Sequence, residues 1–144
     1  MGSQRLVWTG DLSFDGEDSW GHRVAIAGRD DAPGVKPSDL LALSLAACTA
    51  YDVVNVLRKQ RQDLRGLEVA IESEQDDRPP WTFRRIAMRF LVRGEVDPRK
   101  ADRALALGLK DCSVHATIAG CLPIEATIEV VGDGPPRAVS GSPG

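Results

Sequence analysis

Between Leu40 and Leu57 the chain is almost continuously apolar, and the few polar side chains in and just after this run recur at helical spacing. They are separated by steps of three or four residues: Ser44, Cys48, Asp52, Asn55 and Lys59. This spacing puts them on one face of an α-helix, where they form a polar stripe. The sequence PSD before the run is a typical helix start. The pattern therefore predicts a long helix from residue 37 to about residue 61, buried on most sides, with Cys48 on its polar stripe.

Hydrophobic residues alternate with polar ones in other parts of the chain. Apolar residues occupy every second position over 67–71 and again over 86–92, with turn residues at 76–80 between them. A period of two is typical of strands with one solvent-facing side, so these two segments are predicted to pair as antiparallel strands. Residues 1–35 also alternate, and they contain the turn-like sequence FDGEDSWGH. This first part of the chain is expected to form two or three more strands.

The remaining segments predict two further helices and a last strand. Pro98 is expected to begin a helix that ends near Leu109, and residues 113–119 are expected to form a short helix. Residues 124–130 alternate as a strand. The order of strands, long helix, strands, helix and strand indicates an α+β fold in which an antiparallel sheet packs against the central helix.

The chain has 144 residues, of which 42% are hydrophobic and 27% are charged, as is typical of globular proteins. Its length fits a single domain, which we place at residues 1–131, followed by a Gly-, Pro- and Ser-rich tail at 132–144 that we expect to be disordered. The net charge of −3 offers no basic surface to a phosphate backbone, so no nucleic acid partner is expected. The N-terminal sequence lacks the pattern of a secretory signal, and Asp52 makes a membrane span unfavourable within the apolar run. We therefore expect a cytoplasmic protein with no membrane partner.

The three cysteines, an odd number, argue for free thiols rather than a disulfide framework. Cys48 lies on the polar stripe, which is an unexpected place for a packing residue, although packing remains an alternative. Cys112 precedes the predicted short helix, whose dipole would favour the reactive thiolate. Cys48 lies about three turns inside its own helix and is followed one turn later by Asp52. A lowered pKa at Cys48 would therefore need a cation from elsewhere in the fold.

Two sequence motifs carry these cysteines in a recognisable order. KPSDLLALSLAACTAYDVV contains Cys48, and KDCSVHATI contains Cys112, 64 positions later. Over about residues 21–131 the chain resembles the OsmC/Ohr superfamily of osmotically inducible and organic-hydroperoxide-resistance proteins. The resemblance implies an OsmC-like fold, with antiparallel sheets packed around a long central helix. It also implies an intertwined homodimer in which both chains build each active site.

The resemblance further implies a thiol-dependent peroxidase that reduces organic hydroperoxides. By motif position, Cys48 is the peroxidatic thiol that attacks the peroxide bond and becomes a sulfenic acid. Cys112 is the resolving thiol, which converts the sulfenic acid to a disulfide that a cellular dithiol then reduces. No cofactor or metal is expected. In the family an arginine from the first hairpin and a glutamate support the thiolate; here the glutamate position is Ser38, with Asp39 beside it, and the nearest arginine is Arg23.

Other interpretations of the same residues stay open. The chain could be a non-catalytic module that binds a small molecule or an interaction partner and has unactivated cysteines. A permanent Cys48–Cys112 disulfide would stabilise the fold by about 4 kcal/mol in the chain-entropy model, but a reducing cytosol argues against it. Cys112, His115 and Cys121 could ligate a metal, although structural zinc usually has four ligands. His22 and His115 are candidate general bases or turn residues, and Cys121 is expected in a turn or in the core.

Overall fold

The computed structural model describes residues 2–132, and these residues form an α+β fold, which confirms the predicted class. The predicted tail at 132–144 lies outside the described residues, except for Gly132, which ends the last strand. In chain order the elements are β1 (Arg5–Gly10), β2 (Ser13–Glu17), β3 (Arg23–Ala27), α1 (Pro37–Lys59), β4 (Asp63–Gln75), β5 (Phe83–Glu95), α2 (Pro98–Asp111), α3 (Ser113–Ile118) and β6 (Ile124–Gly132).

Two compact units divide the described chain, and their border lies inside α1 between Leu41 and Ala42. The first unit contains β1, β2, β3 and the beginning of α1. The second unit contains the rest of α1 and all later elements. The assignment of a single domain to residues 1–131 stays a prediction.

The first unit is built on an antiparallel sheet with β2 in its centre. Leu6 of β1 lies opposite Gly16 of β2, which in turn lies opposite Val24 of β3. Residues opposite each other and two positions apart share one face of a sheet. One face of this sheet is therefore apolar, with the residues Leu6, Trp8, Phe14, Val24 and Ile26. Much of that face is open, since 60% of Leu6 and 67% of Trp8 are exposed.

The second unit contains a sheet with the strand order β4-β5-β6. β4 and β5 pair antiparallel, as predicted, with Ile71 opposite Met88. β6 pairs parallel to β5, with Ile124 opposite Ile86, so the prediction of a purely antiparallel sheet is wrong for this strand. The reason lies in the connection, because α2 and α3 together form a crossover that returns the chain to the end of the sheet where β5 begins. Alternation in the sequence identifies a strand but carries no information on its direction.

The core of the second unit lies between one face of α1, the sheet and α2. Its fully buried apolar side chains from α1 and β5 include Leu45, Val53, Leu57, Ile86, Phe90 and Val92. The other side of α1 is open, since 48% of Leu43 and 69% of Tyr51 are exposed. Only 33% of the most apolar segment of α1 is buried, although this helix is long and apolar enough by composition to cross a membrane. The expectation that α1 is buried on most sides is therefore wrong.

The approach of α2 to α1 depends on a glycine. Asp97 caps α2 by accepting a hydrogen bond from the backbone N–H of Arg99, and Pro98 occupies the first turn, as predicted. One turn before its end, α2 carries the buried Gly108. A Cβ atom at this position would lie 3.0 Å from the backbone oxygen of Thr49 and 3.2 Å from Cγ2 of Val53. The two helices thus approach closely beside the residue that follows Cys48.

Candidate functional site

Cys112 occupies the junction between two helices. Its backbone is extended, with φ −73° and ψ 118°, so it ends α2 and at the same time caps the N-terminus of α3. Its sulfur accepts a hydrogen bond from the backbone N–H of His115 at 3.3 Å. The neighbouring Asp111 and Ser113 are more usual capping residue types, yet the sulfur of Cys112 takes this role. A sulfur can serve here because a cap needs only an acceptor placed near the free N–H groups of the first turn.

The structure brings Cys48 and Cys112 together. The Cys112 thiol lies close enough to the Cys48 sulfur to lower the pKa of Cys48 by hydrogen bonding, and all three cysteines are free thiols. Ser113, the first residue of α3, adds its hydroxyl, with Oγ 3.9 Å from Sγ of Cys48. α1 and the junction of α2 with α3 therefore meet at one cluster of two thiols and one hydroxyl.

The two sulfurs differ in their access to solvent. Cys48 is partly exposed, whereas Cys112 is only 1% exposed. Cys112 packs next to Thr49, which is fully buried and whose hydroxyl donates to the backbone oxygen of Leu45 at 2.9 Å. A molecule that arrives from solvent therefore meets the sulfur of Cys48 first.

The surroundings of Cys48 favour its thiolate. Burial by itself raises the pKa of the Cys48 thiol, but the hydrogen bonds to its sulfur outweigh this effect and leave the pKa below its ordinary value. The donors are the Cys112 thiol, the backbone N–H groups of Val114 and Ser113, and the Ser113 hydroxyl. Hydrogen bonds to the charged form of an acid stabilise that form. The sequence indicated that Cys48 would need a distant cation, whereas here the first turn of α3 supplies neutral donors.

The pKa of Cys112 is raised, in contrast to the prediction for a thiol at a helix start. Burial is the first cause, and the hydrogen bond and negative charge of Cys48 add to it. The backbone N–H of His115 and the Thr49 hydroxyl act in the opposite direction but do not compensate. The helix start therefore favours the thiolate of Cys48, which lies in front of it, more than the thiolate of its own cap.

The other candidate residues have ordinary structural roles. Arg23 lies in β3 of the first unit, where 74% of its side chain is exposed and its Nε is 3.6 Å from a carboxylate oxygen of Glu17. His22 contacts the ring of Trp20 edge-on in the same unit. His115 contributes its backbone N–H to the cap of α3, and Cys121 is exposed in the turn before β6. Within residues 2–132 no group of three His, Cys, Asp or Glu side chains is placed to hold a metal ion.

Sequence reasoning missed two residues of this cluster. Ser113 directly follows Cys112 in the motif KDCSVHATI, and a serine beside a cysteine at a helix start is the signal that points to it. Thr49 was the one polar residue of the apolar run outside the polar stripe, and this exception was the available signal for it. A buried threonine on the core side of a helix indicates a specific hydrogen bond, because burial of an unpaired hydroxyl is costly.

Comparisons with known proteins identify a matching family and a related protein. The family model described as OsmC-like protein matches residues 28–127. Protein YhfA from Escherichia coli strain K12 is 33% identical over 130 residues, which cover 88% of this chain and 96% of YhfA.

Solved structures share the fold. An OsmC-like protein from Mycoplasma pneumoniae superposes with a TM-score of 0.80 at 17% identity, covering 91% of this chain and 97% of that one. The organic hydroperoxide resistance protein OsmC from Legionella pneumophila superposes with a TM-score of 0.67 at 18% identity, covering 90% and 97%. The predicted OsmC-like fold is thereby confirmed. On the family match and the relationship to YhfA, the chain belongs to the OsmC-like protein family.

Proposed function

We propose that this protein is a thiol-dependent peroxidase that reduces organic hydroperoxides with Cys48 and Cys112. One observation carries the proposal, namely that residues far apart in the sequence meet in one cluster: the hydroxyl of Ser113, the residue after Cys112, lies 3.9 Å from the Cys48 sulfur, and the Cys112 thiol acts on the pKa of Cys48. The partly exposed Cys48 thiol has the lowered pKa, and the buried Cys112 thiol has the raised pKa. These properties suit Cys48 as the nucleophile that meets the substrate and Cys112 as the buried thiol that reacts afterwards.

The proposed reaction has three steps: oxidation of Cys48, formation of the disulfide and its reduction. The Cys48 thiolate attacks one oxygen of the hydroperoxide, the O–O bond breaks, and the departing alkoxide takes a proton to leave as an alcohol, while Cys48 becomes a sulfenic acid. Cys112 then attacks the Cys48 sulfur, forms the Cys48–Cys112 disulfide and releases the sulfenic oxygen as water. A dithiol reductant finally exchanges with this disulfide, restores both thiols and becomes a disulfide itself.

The opposed pKa shifts of the two thiols suit this order of events. The negative charge of Cys48 is one cause of the raised pKa of Cys112. That charge disappears when Cys48 becomes a sulfenic acid, so this contribution to the pKa of Cys112 is lost after the first step. The Cys112 thiol then ionises more readily, at the stage when it has to act as a nucleophile. The charge of Cys48 therefore disfavours ionisation of Cys112 until Cys48 has been oxidised.

The family relationship supports the class of substrate. The Legionella pneumophila relative carries the name organic hydroperoxide resistance protein, and it shares the fold at low sequence identity. An alkyl hydroperoxide also fits a sulfur that is partly exposed on a largely apolar helix. A cytoplasmic location belongs to the proposal, because a reducing compartment supplies the dithiol that the third step consumes.

The proposal includes a homodimer whose chains share their active sites. Two apolar surfaces support it, each considered within its own unit: the open face of the first sheet and the exposed side of α1 with Leu43 and Tyr51. Large apolar surfaces on a soluble chain usually mark contacts with a partner. Because Tyr51 and Leu43 lie on the same helix as Cys48, a chain that covered them would also border the reactive sulfur.

Cumene hydroperoxide and dithiothreitol test the proposed reaction in the purified full-length protein. We expect catalytic loss of the hydroperoxide with the wild type and none above background with Cys48→Ser. Cys112→Ser should form a sulfenic acid that dimedone traps, but no intramolecular disulfide. The matched control is Cys121→Ser, which removes an exposed thiol outside the cluster and should turn over like the wild type.

The alternative of a non-catalytic binding module makes a different prediction for the same samples. Under it the wild type would leave cumene hydroperoxide unchanged, and Cys48 would react with iodoacetamide no faster than a thiol in a short peptide. Either a wild type without turnover or a Cys48→Ser variant with full turnover overturns the peroxidase.

A further inference from the structure

The Cys48 sulfur is surrounded by hydrogen-bond donors that stabilise its thiolate. A nucleophilic thiolate needs a neighbouring positive group or hydrogen-bond donors to be populated near neutral pH. Along α1 the polar stripe places Asp52 one turn after Cys48, and a carboxylate there supplies no donor. Arg23, the cation suggested by the sequence, is exposed in β3 and is paired with Glu17. Besides the Cys112 thiol, the donors described for the Cys48 sulfur come from the first turn of α3.

Among these donors, Ser113 contributes a side-chain hydroxyl in addition to its backbone N–H. Its Oγ lies 3.9 Å from Sγ of Cys48, within the range of hydrogen bonds to sulfur. The Ser113 backbone is held in the helix, where its carbonyl oxygen accepts a hydrogen bond from the Thr117 hydroxyl at 2.7 Å. The hydroxyl can therefore turn toward the sulfur by rotation about its own side-chain bonds alone.

The chemistry of the two groups fixes the direction of this hydrogen bond during catalysis. In the neutral pair either atom can be the donor. Once Cys48 is ionised its sulfur has no hydrogen, so only the Ser113 hydroxyl can donate. Such a bond is charge-assisted and favours the ionised form. In the sulfenic acid state the same hydroxyl can donate to the sulfenic oxygen, which is the atom that leaves as water.

We propose that Ser113 is a catalytic residue, whose hydroxyl donates to the Cys48 thiolate and stabilises it. The inference rests on the proposed function for its biological meaning, because it concerns the same sulfur. Its physical content is independent of any substrate, since thiolate stability can be measured without a hydroperoxide. Backbone donors of Ser113 and Val114 remain when the side chain is changed, so the effect of the hydroxyl can be isolated.

The experiment is a pH–rate profile for alkylation of Cys48 by iodoacetamide in the full-length protein, with the labelled peptide quantified by mass spectrometry. Ser113→Ala removes the hydroxyl, and we expect the rate at pH 7 to fall about five-fold and the midpoint of the profile to move to higher pH. Ser113→Thr keeps a hydroxyl at the same place and should stay within about two-fold of the wild type. Circular dichroism checks that each variant is folded.

Thr127→Ala is the control, because it removes an exposed hydroxyl on β6, outside the cluster, and has no contact with Ser113. We expect this control to keep the wild-type profile. If Ser113→Ala keeps the wild-type profile, or if Thr127→Ala shifts it equally, the role of the Ser113 hydroxyl is refuted. The two proposals fail separately: absence of hydroperoxide turnover in the wild type refutes the peroxidase without touching the alkylation result, whereas an unchanged Ser113→Ala profile in an active wild type refutes only the role of Ser113.

Discussion

At the scale of single residues, the site works by giving two chemically identical side chains different surroundings. Cys48 faces the free N–H groups and the hydroxyl at the start of α3, and its pKa is lowered. Cys112 is nearly inaccessible to solvent and lies against the charge of its neighbour, and its pKa is raised. No full positive charge from the second unit is needed for this difference, because hydrogen-bond donors and burial act in opposite directions on the two sulfurs.

Thr49 offers a test of the second thiol. Its hydroxyl donates to the Leu45 carbonyl, but it can rotate to donate to an ionised Cys112 sulfur and so lowers the pKa of that thiol; Thr49→Val, which removes the donor, should therefore raise this pKa further. At a given pH a smaller fraction of Cys112 is then thiolate, and we expect the Cys48–Cys112 disulfide to form about two- to five-fold more slowly after one equivalent of hydroperoxide. The difference should shrink as the pH rises, because both proteins approach full ionisation. Rapid-quench mass spectrometry measures the lifetime of the sulfenic acid.

Thr127→Val is the control for this prediction, since Thr127 is exposed on β6 and the chemical change is the same. The rate of sulfenic acid formation at Cys48 should change little in either variant. Equal disulfide rates in Thr49→Val and the wild type across the pH range would contradict the role assigned to the Thr49 hydroxyl.

At the scale of secondary-structure elements, the cluster depends on how closely α2 approaches α1. Gly108 permits the approach, because its missing side chain leaves room for the backbone of Thr49. Cys112 follows Gly108 by about one helical turn, so a displacement of α2 moves the resolving sulfur as well. Gly108 thereby helps to set the distance between the sulfurs of Cys48 and Cys112.

Gly108→Ala should separate the two helices slightly. Alanine favours a helix over glycine by about 1 kcal/mol, but overpacking in a core costs about 1–3 kcal/mol. We therefore expect a net loss of about 1 kcal/mol in the free energy of unfolding, measured by urea denaturation. The more specific effect is slower Cys48–Cys112 disulfide formation, because sulfur atoms must meet within bonding distance.

Gly120→Ala is the matched control, since nothing lies within 4 Å of the Cβ atom that this change would add. It should leave both stability and disulfide formation close to those of the wild type. A Gly108→Ala variant with faster or unchanged disulfide formation would show that the close helix contact does not position Cys112.

At the scale of the whole molecule, apolar surface is left open in both units. The side of α1 away from the core exposes 48% of Leu43 and 69% of Tyr51. The sheet and α2 of the second unit cover one face of α1 and leave the opposite face open. An apolar helix side of this kind next to a reactive sulfur is expected to be covered by a second chain in the proposed homodimer.

Leu43→Glu tests the assembly. A carboxylate buried in an apolar contact without a partner is strongly unfavourable, so we expect the dissociation constant of the dimer to rise at least about 100-fold. Sedimentation equilibrium gives the molar mass of wild type and variant at micromolar concentrations. Trp81→Glu serves as control, because Trp81 is also exposed but lies in the turn between β4 and β5. A monomeric wild type, or a Leu43→Glu variant that remains dimeric, would contradict this interface.

The fold was largely readable from local patterns. A period of two identifies β4 and β5, and polar residues at helical spacing identify α1, because each period shows which side of one element is buried. Alternation could not give the direction of β6, which depends on the crossover through α2 and α3. The sequence also predicts more burial of α1 than this chain shows. An apolar helix side favours burial, but the sequence pattern does not say which part of the structure covers it.

The sequence by itself determined which sulfurs matter as candidates: the polar stripe of α1 carries Cys48, and the residue after α2 is Cys112. It also determined the family, through two motifs in a fixed order. Only the tertiary structure decided which sulfur has the lower pKa, because that depends on donors from Ser113 and Val114, which lie more than 60 positions from Cys48 in the chain. Hydrogen bonds act over a few ångströms of space, and the distance between two atoms in a folded chain is set by helix packing and not by their separation in sequence.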